Sequence, residues 1–234
     1  VVMPLYDTIK QELKDKMTFI TNISVPVAWR RQYCGIFQAK HEGVIYYLID
    51  NQYYFKRDTL YGQYDDGERY AYFCRAVLEM MEKLDYYPDI LHANDWQSAL
   101  SVVYLKTEYS YRKNEYAAIK TVFTIHNIES QGQYDFAMLQ DVFALRPENY
   151  TLMAYDGCIN LAKAAVECAD RVTTVSPTYA QEIMTPTYSH RLHFILARYA
   201  RKVSGILNGI DQVYYNPAAD KEIPFEFTSE DTTG

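Results

Sequence analysis

The chain has 234 residues, 49% of them hydrophobic and 23% charged, a balance that suits one large α/β domain. Its 30 acidic residues outnumber its 23 Lys and Arg, leaving a net charge of −7. That argues against nucleic acid as a partner, because phosphates demand a basic face. No apolar run reaches the length of a membrane span, and the expectation is a cytoplasmic protein with no membrane partner.

The chain opens VVMPLY, which reads as the tail of a strand, and closes on polar FTSEDTTG. The expectation is a piece of a longer chain. Residues 18–50 contain strand-like runs. Cys34 to Ala39 and Val44 to Ile49 flank the short turn His41-Glu42-Gly43 and read as a hairpin. Residues 51–67 form a loop rich in Tyr, Asp and Gly, with Asp66 as a candidate helix cap. Phe73, Val77, Met80 and Leu84 then share one helical face, and Pro88 lies just beyond it.

A strand–helix rhythm follows. Ile90-Leu91 run into His92 and a helix from Trp96 to Leu105. Ala118 to Ile125 is a β-rich run ending in His126-Asn127. A helix from Tyr155 to Cys168 precedes Arg171 to Val175, which ends in Ser176-Pro177. A helix from Arg191 to Arg201 precedes Val203 to Leu207, which ends in Asn208-Gly209-Ile210-Asp211. This alternation means a Rossmann-like, doubly wound, mostly parallel sheet with helices on both faces, in a single domain. The cysteines, Cys34, Cys74, Cys158 and Cys168, lack a C-x-x-C pair and read as reduced thiols.

Ligands of such sheets bind beyond the carboxyl ends of the strands. Four successive strand ends here carry polar groups: His92 with Asp95, His126-Asn127, Ser176, and Asn208 with Asp211. Each alone suits a cap or a turn, as Asp95 suits a helix N-cap. A metal centre of His92, Asp95 and His126 lacks any H-x-H or H-E-x-x-H spacing. A serine hydrolase lacks its G-x-S-x-G elbow, and a dinucleotide site lacks G-x-G-x-x-G. What remains is a sugar site. Asn127, Gln131, Asn208 and uncharged His can both donate to and accept from hydroxyls. The 24 tyrosines and two tryptophans offer ring faces for the apolar side of a pyranose, although half-buried tyrosines are common for other reasons.

The segments HANDWQSAL, TVFTIHNIESQGQY, NLAKAAVECADRVTTVSPTYAQEI and SGILNGIDQVYYNPAAD together resemble the N-terminal domain of bacterial glycogen synthases and plant starch synthases. The resemblance covers nearly the whole chain and is strongest from Asp89 to Asp220. It implies the N-terminal half of a two-domain glycosyltransferase fold of the B type, residues 1–234 being that catalytic domain. It implies retaining transfer of glucose from ADP-glucose to the non-reducing end of an α-1,4-glucan, with no cofactor and no metal. His126 matches the family's His beside the donor glucose, and Asp95 the Asp of its H-x-H-D-W block. Asn127, Gln131, Gly132 and Asn208 match positions that line or support the donor-sugar pocket. Tyr61 matches an acceptor-side tyrosine.

The same resemblance places a first strand with a K-x-G-G-L loop before Val1 and a nucleotide-binding domain after Gly234. Without them the fragment is expected to be inactive alone. The chain departs from the family pattern at Asn94 and Gln97, where a His is frequent, and at Ser130, where a Tyr is common. Tyr188 to Leu192 stands in place of a Y-G-x-G-L run. These departures keep open a non-catalytic glucan-binding paralogue, or a related UDP-sugar glycosyltransferase.

Overall fold

The computed structural model describes residues 1–231. Four strands, β1 (Val2–Pro4), β2 (Thr18–Val27), β3 (Arg30–His41) and β4 (Val44–Asp50), form one sheet in the order β1-β4-β3-β2. β1 runs parallel to β4, while β2, β3 and β4 are antiparallel. The expected β3–β4 hairpin is present. His41 pairs with Val44, and the two turn residues, Glu42 and Gly43, have φ of 48° and 81°, as a two-residue turn between right-twisted strands requires.

The second four-stranded sheet is wholly parallel. It contains β5 (Ile90–Asn94), β6 (Lys120–Ile125), β10 (Arg171–Thr174) and β11 (Val203–Gly205), in the order β11-β10-β6-β5. A small third sheet joins β7 (Gln133–Tyr134), β8 (Ala154–Tyr155) and β9 (Cys158–Asn160). The main helices are α1 (Asp66–Lys83), α2 (Asp95–Thr107), α3 (Leu161–Cys168), α4 (Pro177–Glu182) and α5 (His193–Arg198). Among the described residues no helix is long and apolar enough to cross a membrane. All four cysteines are free.

Two expected helical features differ. The run from Tyr155 to Cys168 is helical only from Leu161, because Asp156 and Gly157 take φ of 52° and 80° and close the β8–β9 hairpin. Asp-Gly is a hairpin turn pair, and it breaks the helix that the surrounding periodicity favours. Asp66, expected as a cap, is instead the first residue of α1. Its carboxylate accepts from the backbone N–H of Gly62 and Gln63 and pairs with buried Arg69, which fastens the preceding loop to the helix.

The two larger sheets meet across an open seam. β1 and β5 are the outer strands that face it. Between them lies a cleft of about 800 Å³, floored by Tyr70, Phe73, Val77, Met80 and Met81 of α1. Tyr6, just past the end of β1, hydrogen-bonds Tyr70 in the first half of α1 at 3.3 Å, and β5 starts shortly after α1 ends. Both strands therefore run opposite to α1 and parallel to each other.

The segment from Tyr188 to Leu192 shows how the chain manages without the family's glycines. His190 and Arg191 take φ of 45° and 77°, in the left-handed region. Three contacts impose that shape. The Gln131 amide donates to the His190 carbonyl at 2.9 Å, the Tyr155 hydroxyl donates to the Arg191 carbonyl at 2.8 Å, and buried Ser189 lies 3.1 Å from His193 Nδ1. A left-handed non-glycine residue costs about 1–2 kcal/mol. Arg191 pairs with Asp156 at 2.7 Å, but its side chain is 77% exposed, so the pair contributes little. Arg191→Gly is therefore expected to stabilise the chain by about 0.5–1 kcal/mol, an increase in Tm of about 2 °C. A thermal melt showing a lower Tm would contradict this account of the loop.

Candidate functional site

The strand ends of the parallel sheet converge as the sequence reading expects, and their side chains are organised around one crossing. β5 ends at Asn94 and β6 ends just before His126. The Asp95 carboxylate accepts from the His126 backbone N–H at 2.8 Å, and Asn94 Oδ1 lies 3.0 Å from His126 Nε2. His126 is thus held from both sides while its ring stays exposed. Because an amide oxygen only accepts, Nε2 is the donor in this hydrogen bond.

Asp95 does not cap α2, and no side chain caps that helix. Its φ of 55° turns the carboxylate across to β6. The left-handed backbone costs about 1–2 kcal/mol, and a hydrogen bond to a charged acceptor contributes about 1.5–3 kcal/mol. The bond outweighs the strain, so the crossing is self-supporting.

His92 is hydrogen-bonded but exposed, because β5 borders the open cleft. Its Nε2 lies 2.6 Å from Thr124 Oγ1, which lies 2.5 Å from Thr173 Oγ1. Partial burial, and then the nearby His126, hold its imidazole below the ordinary histidine range.

The remaining sequence-derived residues take different stations. Asn127 is exposed beside His126, and its Oδ1 accepts from the Glu129 N–H at 3.0 Å. Gln131 is buried and supports the loops. Its amide donates to the Ile128 and His190 carbonyls, and its Oε1 accepts from Asn160 at 2.6 Å. Gly132 has φ of 64°, and a Cβ there would come within 2.9 Å of the Trp96 ring and 3.1 Å of Leu161. Only glycine lets this loop lie against α2 and the start of α3.

Asn208 is exposed beyond β11, and Asp211 Oδ1 accepts from the Val213 and Tyr214 N–H groups. β11 itself packs tightly. A Cβ on Gly205 would fall 1.9 Å from the Ser176 carbonyl oxygen, so the ends of β10 and β11 are held together by the absence of a side chain. Ser176 caps α4, accepting from the Tyr179 N–H at 2.9 Å. Tyr61 is exposed in the loop before α1, away from the Asp95–His126 crossing in sequence but joined to it. Tyr70 donates its hydroxyl to the Leu60 carbonyl at 2.5 Å and meets Trp96, next to Asp95, edge-on at 5.3 Å.

Asn94 is the contact that the sequence reading set aside as a departure from the family pattern. Its signal was its position, last in a strand and next to Asp95. Among the described residues, no three or more His, Cys, Asp or Glu side chains gather where they could hold a metal ion. The edge offers an exposed imidazole, neutral amides and hydroxyls, a set suited to sugar hydroxyls.

Comparison with known proteins gives the same direction. The model of the starch synthase catalytic domain matches residues 1–198. The chain is 46% identical over 222 residues to a glycogen synthase of Geobacillus thermodenitrificans, covering 94% of this chain and 46% of that protein. It is 44% identical to a glycogen synthase of Streptococcus agalactiae, covering 100% of this chain and 49% of that protein. The chain spans about half the length of the curated relatives it matches. Among solved structures, the catalytic domain of Starch Synthase IV from Arabidopsis thaliana, bound to ADP and acarbose, superposes with a TM-score of 0.84 at 31% identity, covering 98% of this chain and 48% of that one. With its α/β architecture and 198 matched residues, the chain belongs to the starch synthase catalytic-domain family.

Proposed function

We propose that this chain is the acceptor-side half of a retaining glucosyltransferase that moves glucose from ADP-glucose to the non-reducing end of an α-1,4-glucan. The observation that carries the reading is the His126 imidazole, exposed at the end of β6 and fixed by Asp95 and Asn94. The ADP and acarbose bound to the Arabidopsis neighbour support a nucleotide-sugar donor and a glucan acceptor. In this reading His126 and Asp95 are the catalytic-side residues, with His126 beside the donor glucose. Asn127 and Asn208 bind its hydroxyls, Gln131 and Gly132 shape the pocket, and Tyr61 serves the acceptor. The enzyme uses no cofactor or metal beyond its substrates, and works in the cytoplasm.

Glycosyl transfer passes through an oxocarbenium-like transition state and releases a diphosphate. Positive charge placed on that leaving group is a large part of the catalysis. The site edge described above is built of neutral and acidic groups, so the Arg and Lys for the diphosphate come from a second domain. The cleft between β1 and β5 receives one further parallel strand from the rest of the enzyme. It is bordered by two open parallel edges and floored by apolar side chains, the setting of a central strand.

Three outcomes follow. His126→Ala in the complete enzyme lowers glucosyl transfer by orders of magnitude without lowering its Tm, and a near-wild-type rate would exclude the assigned role. The 234-residue chain alone gives no turnover with ADP-glucose and glycogen, whereas robust turnover would overturn the division of labour. Backbone amides along β5 exchange with deuterium far more slowly in the complete enzyme than in this chain. Equal, fast exchange in both would show that no strand fills the cleft.

A further inference from the structure

Asn94 stands where β5 becomes α2, and its side chain does not do what that position invites. Its backbone is extended, with φ of −118° and ψ of 120°, as at a helix N-cap, and Asn is among the most favoured capping residues. Yet no side chain caps α2. Asn94 Oδ1 is turned instead to His126 Nε2 at 3.0 Å. Asp95, the other capping residue type at this junction, is turned to the His126 backbone N–H at 2.8 Å. Two side chains suited to the helix both serve the histidine on the neighbouring strand.

The mount is firm. Asn94 pairs with Thr124 of β6, and its carbonyl accepts from the Ser98 hydroxyl at 2.7 Å. With Oδ1 committed to His126, the amide nitrogen on the same carbon keeps two hydrogens to donate. Among the described residues Nδ2 has no acceptor, and the side chain is exposed at the ligand edge. The amide is planar, so Nδ2 cannot turn away without carrying Oδ1 off the imidazole. The bond to His126 therefore fixes where these donors stand, beside the exposed ring.

We propose that Asn94 is a further substrate-contacting residue of the transfer site: Oδ1 positions His126, and Nδ2 donates to an oxygen of the sugar beside that ring. The inference rests on the proposed glucosyl transfer. Sugar oxygens accept as readily as they donate, and an amide that has given its oxygen to the protein is left as a donor for them. The His frequent at this position in the family has the same character. A neutral imidazole accepts at one ring nitrogen and donates from the other. Asn is thus a replacement in kind, which speaks for retained transfer chemistry and against a paralogue that lost it. An ionised carboxylate accepts only, and could not fill both roles.

Steady-state kinetics of the complete enzyme with ADP-glucose and glycogen test this. Asn94→Leu lowers kcat by about 10- to 100-fold, the cost of a misplaced group in the transition state, with a much smaller change in KM. Its Tm stays within about 2 °C of wild type, because the side chain is exposed and caps nothing. Asn94→His recovers most of the lost rate. Asn94→Asp, which keeps an oxygen for His126 but has no hydrogen to donate, does not. A near-wild-type kcat in Asn94→Leu overturns the assignment, as does Asn94→His performing no better than Asn94→Leu. Wild-type activity in Asn94→Asp overturns the contact through Nδ2. If Asn94→Leu folds poorly, the two polar variants decide the matter. Transfer by the wild-type enzyme and its loss in His126→Ala test the functional reading separately, and no transfer by wild type overturns both.

Discussion

The edge-on contact between Tyr70 and Trp96 joins the two halves of this fold. Tyr70 belongs to α1, which floors the open cleft, and Trp96 to α2, which follows β5. Both rings are buried. Burial of each contributes about 1.5–3 kcal/mol, and their aromatic geometry adds about 0.5–1.5 kcal/mol. The Tyr70 hydroxyl also reaches Leu60 and Tyr6, so one side chain secures the Tyr-rich loop, the exit of β1 and the start of α2. Trp96 is equally committed, with Gly132 against its ring and Tyr134 nearby at 6.2 Å. A deeper bond reinforces the same helix pair. Arg75 of α1 forms a two-pronged pair with Glu108, just past α2, while stacking on Tyr104 at 3.9 Å. Since, among the described residues, no strand pairing links the two larger sheets, their relation depends on these helix contacts.

That dependence explains why the site can be preorganised within this chain. The strand ends carrying Asn94 and His126 are fixed from below by the parallel sheet and from the side by α2. The loop from His126 to Gly132 is then pinned at its far end, where the Leu161 and Ala162 N–H groups bond the Gly132 and Gln131 carbonyls at 3.1 and 3.0 Å. Gln131 extends the bracing to the loop before α5 through His190. The substituted Tyr188–Leu192 run retains a left-handed turn by such contacts rather than by glycine, which weakens the case that its sequence change signals lost chemistry.

The parallel sheet and its ligand edge were legible in the sequence because both rest on local signals. Short β-branched runs ending in His, Ser or Asn, separated by helical periodicity, place β5, β6, β10 and β11 to within about three residues at their ends. The β3–β4 hairpin was equally clear from His41-Glu42-Gly43. What the sequence hid was non-local or carried by a single dipeptide. Asp156-Gly157 reversed the chain inside what read as one helix. The seam between β1 and β5 depends on strand order, which no local pattern encodes. Asp95 looked like a cap because an acidic residue before a helix usually is one. Its positive φ, set by the bond to the His126 N–H, redirected it. The individual contributions of Asn127, Asn208 and Tyr61 were suggested only by family resemblance, since an exposed Asn or Tyr carries no spacing signal of its own.

The histidine in β5 shows how an apparent catalytic candidate can serve the site from beneath. His92, Thr124 and Thr173 stand on β5, β6 and β10, paired through the registers His92 with Val122, Asn94 with Thr124, and Thr173 with Thr124. Their hydrogen bonds run across the strands, one layer below the Asp95–His126 crossing. A hydroxyl can donate in one direction and accept in the other, so the chain His92–Thr124–Thr173 is satisfied only when the imidazole supplies the complementary role. Partial burial and the neighbouring His126 both favour the neutral ring. A neutral imidazole next to a second one also avoids placing two positive charges under the position assigned to the sugar. His92 therefore aligns the strand ends and keeps that layer uncharged, one step back along the strands from the exposed His126.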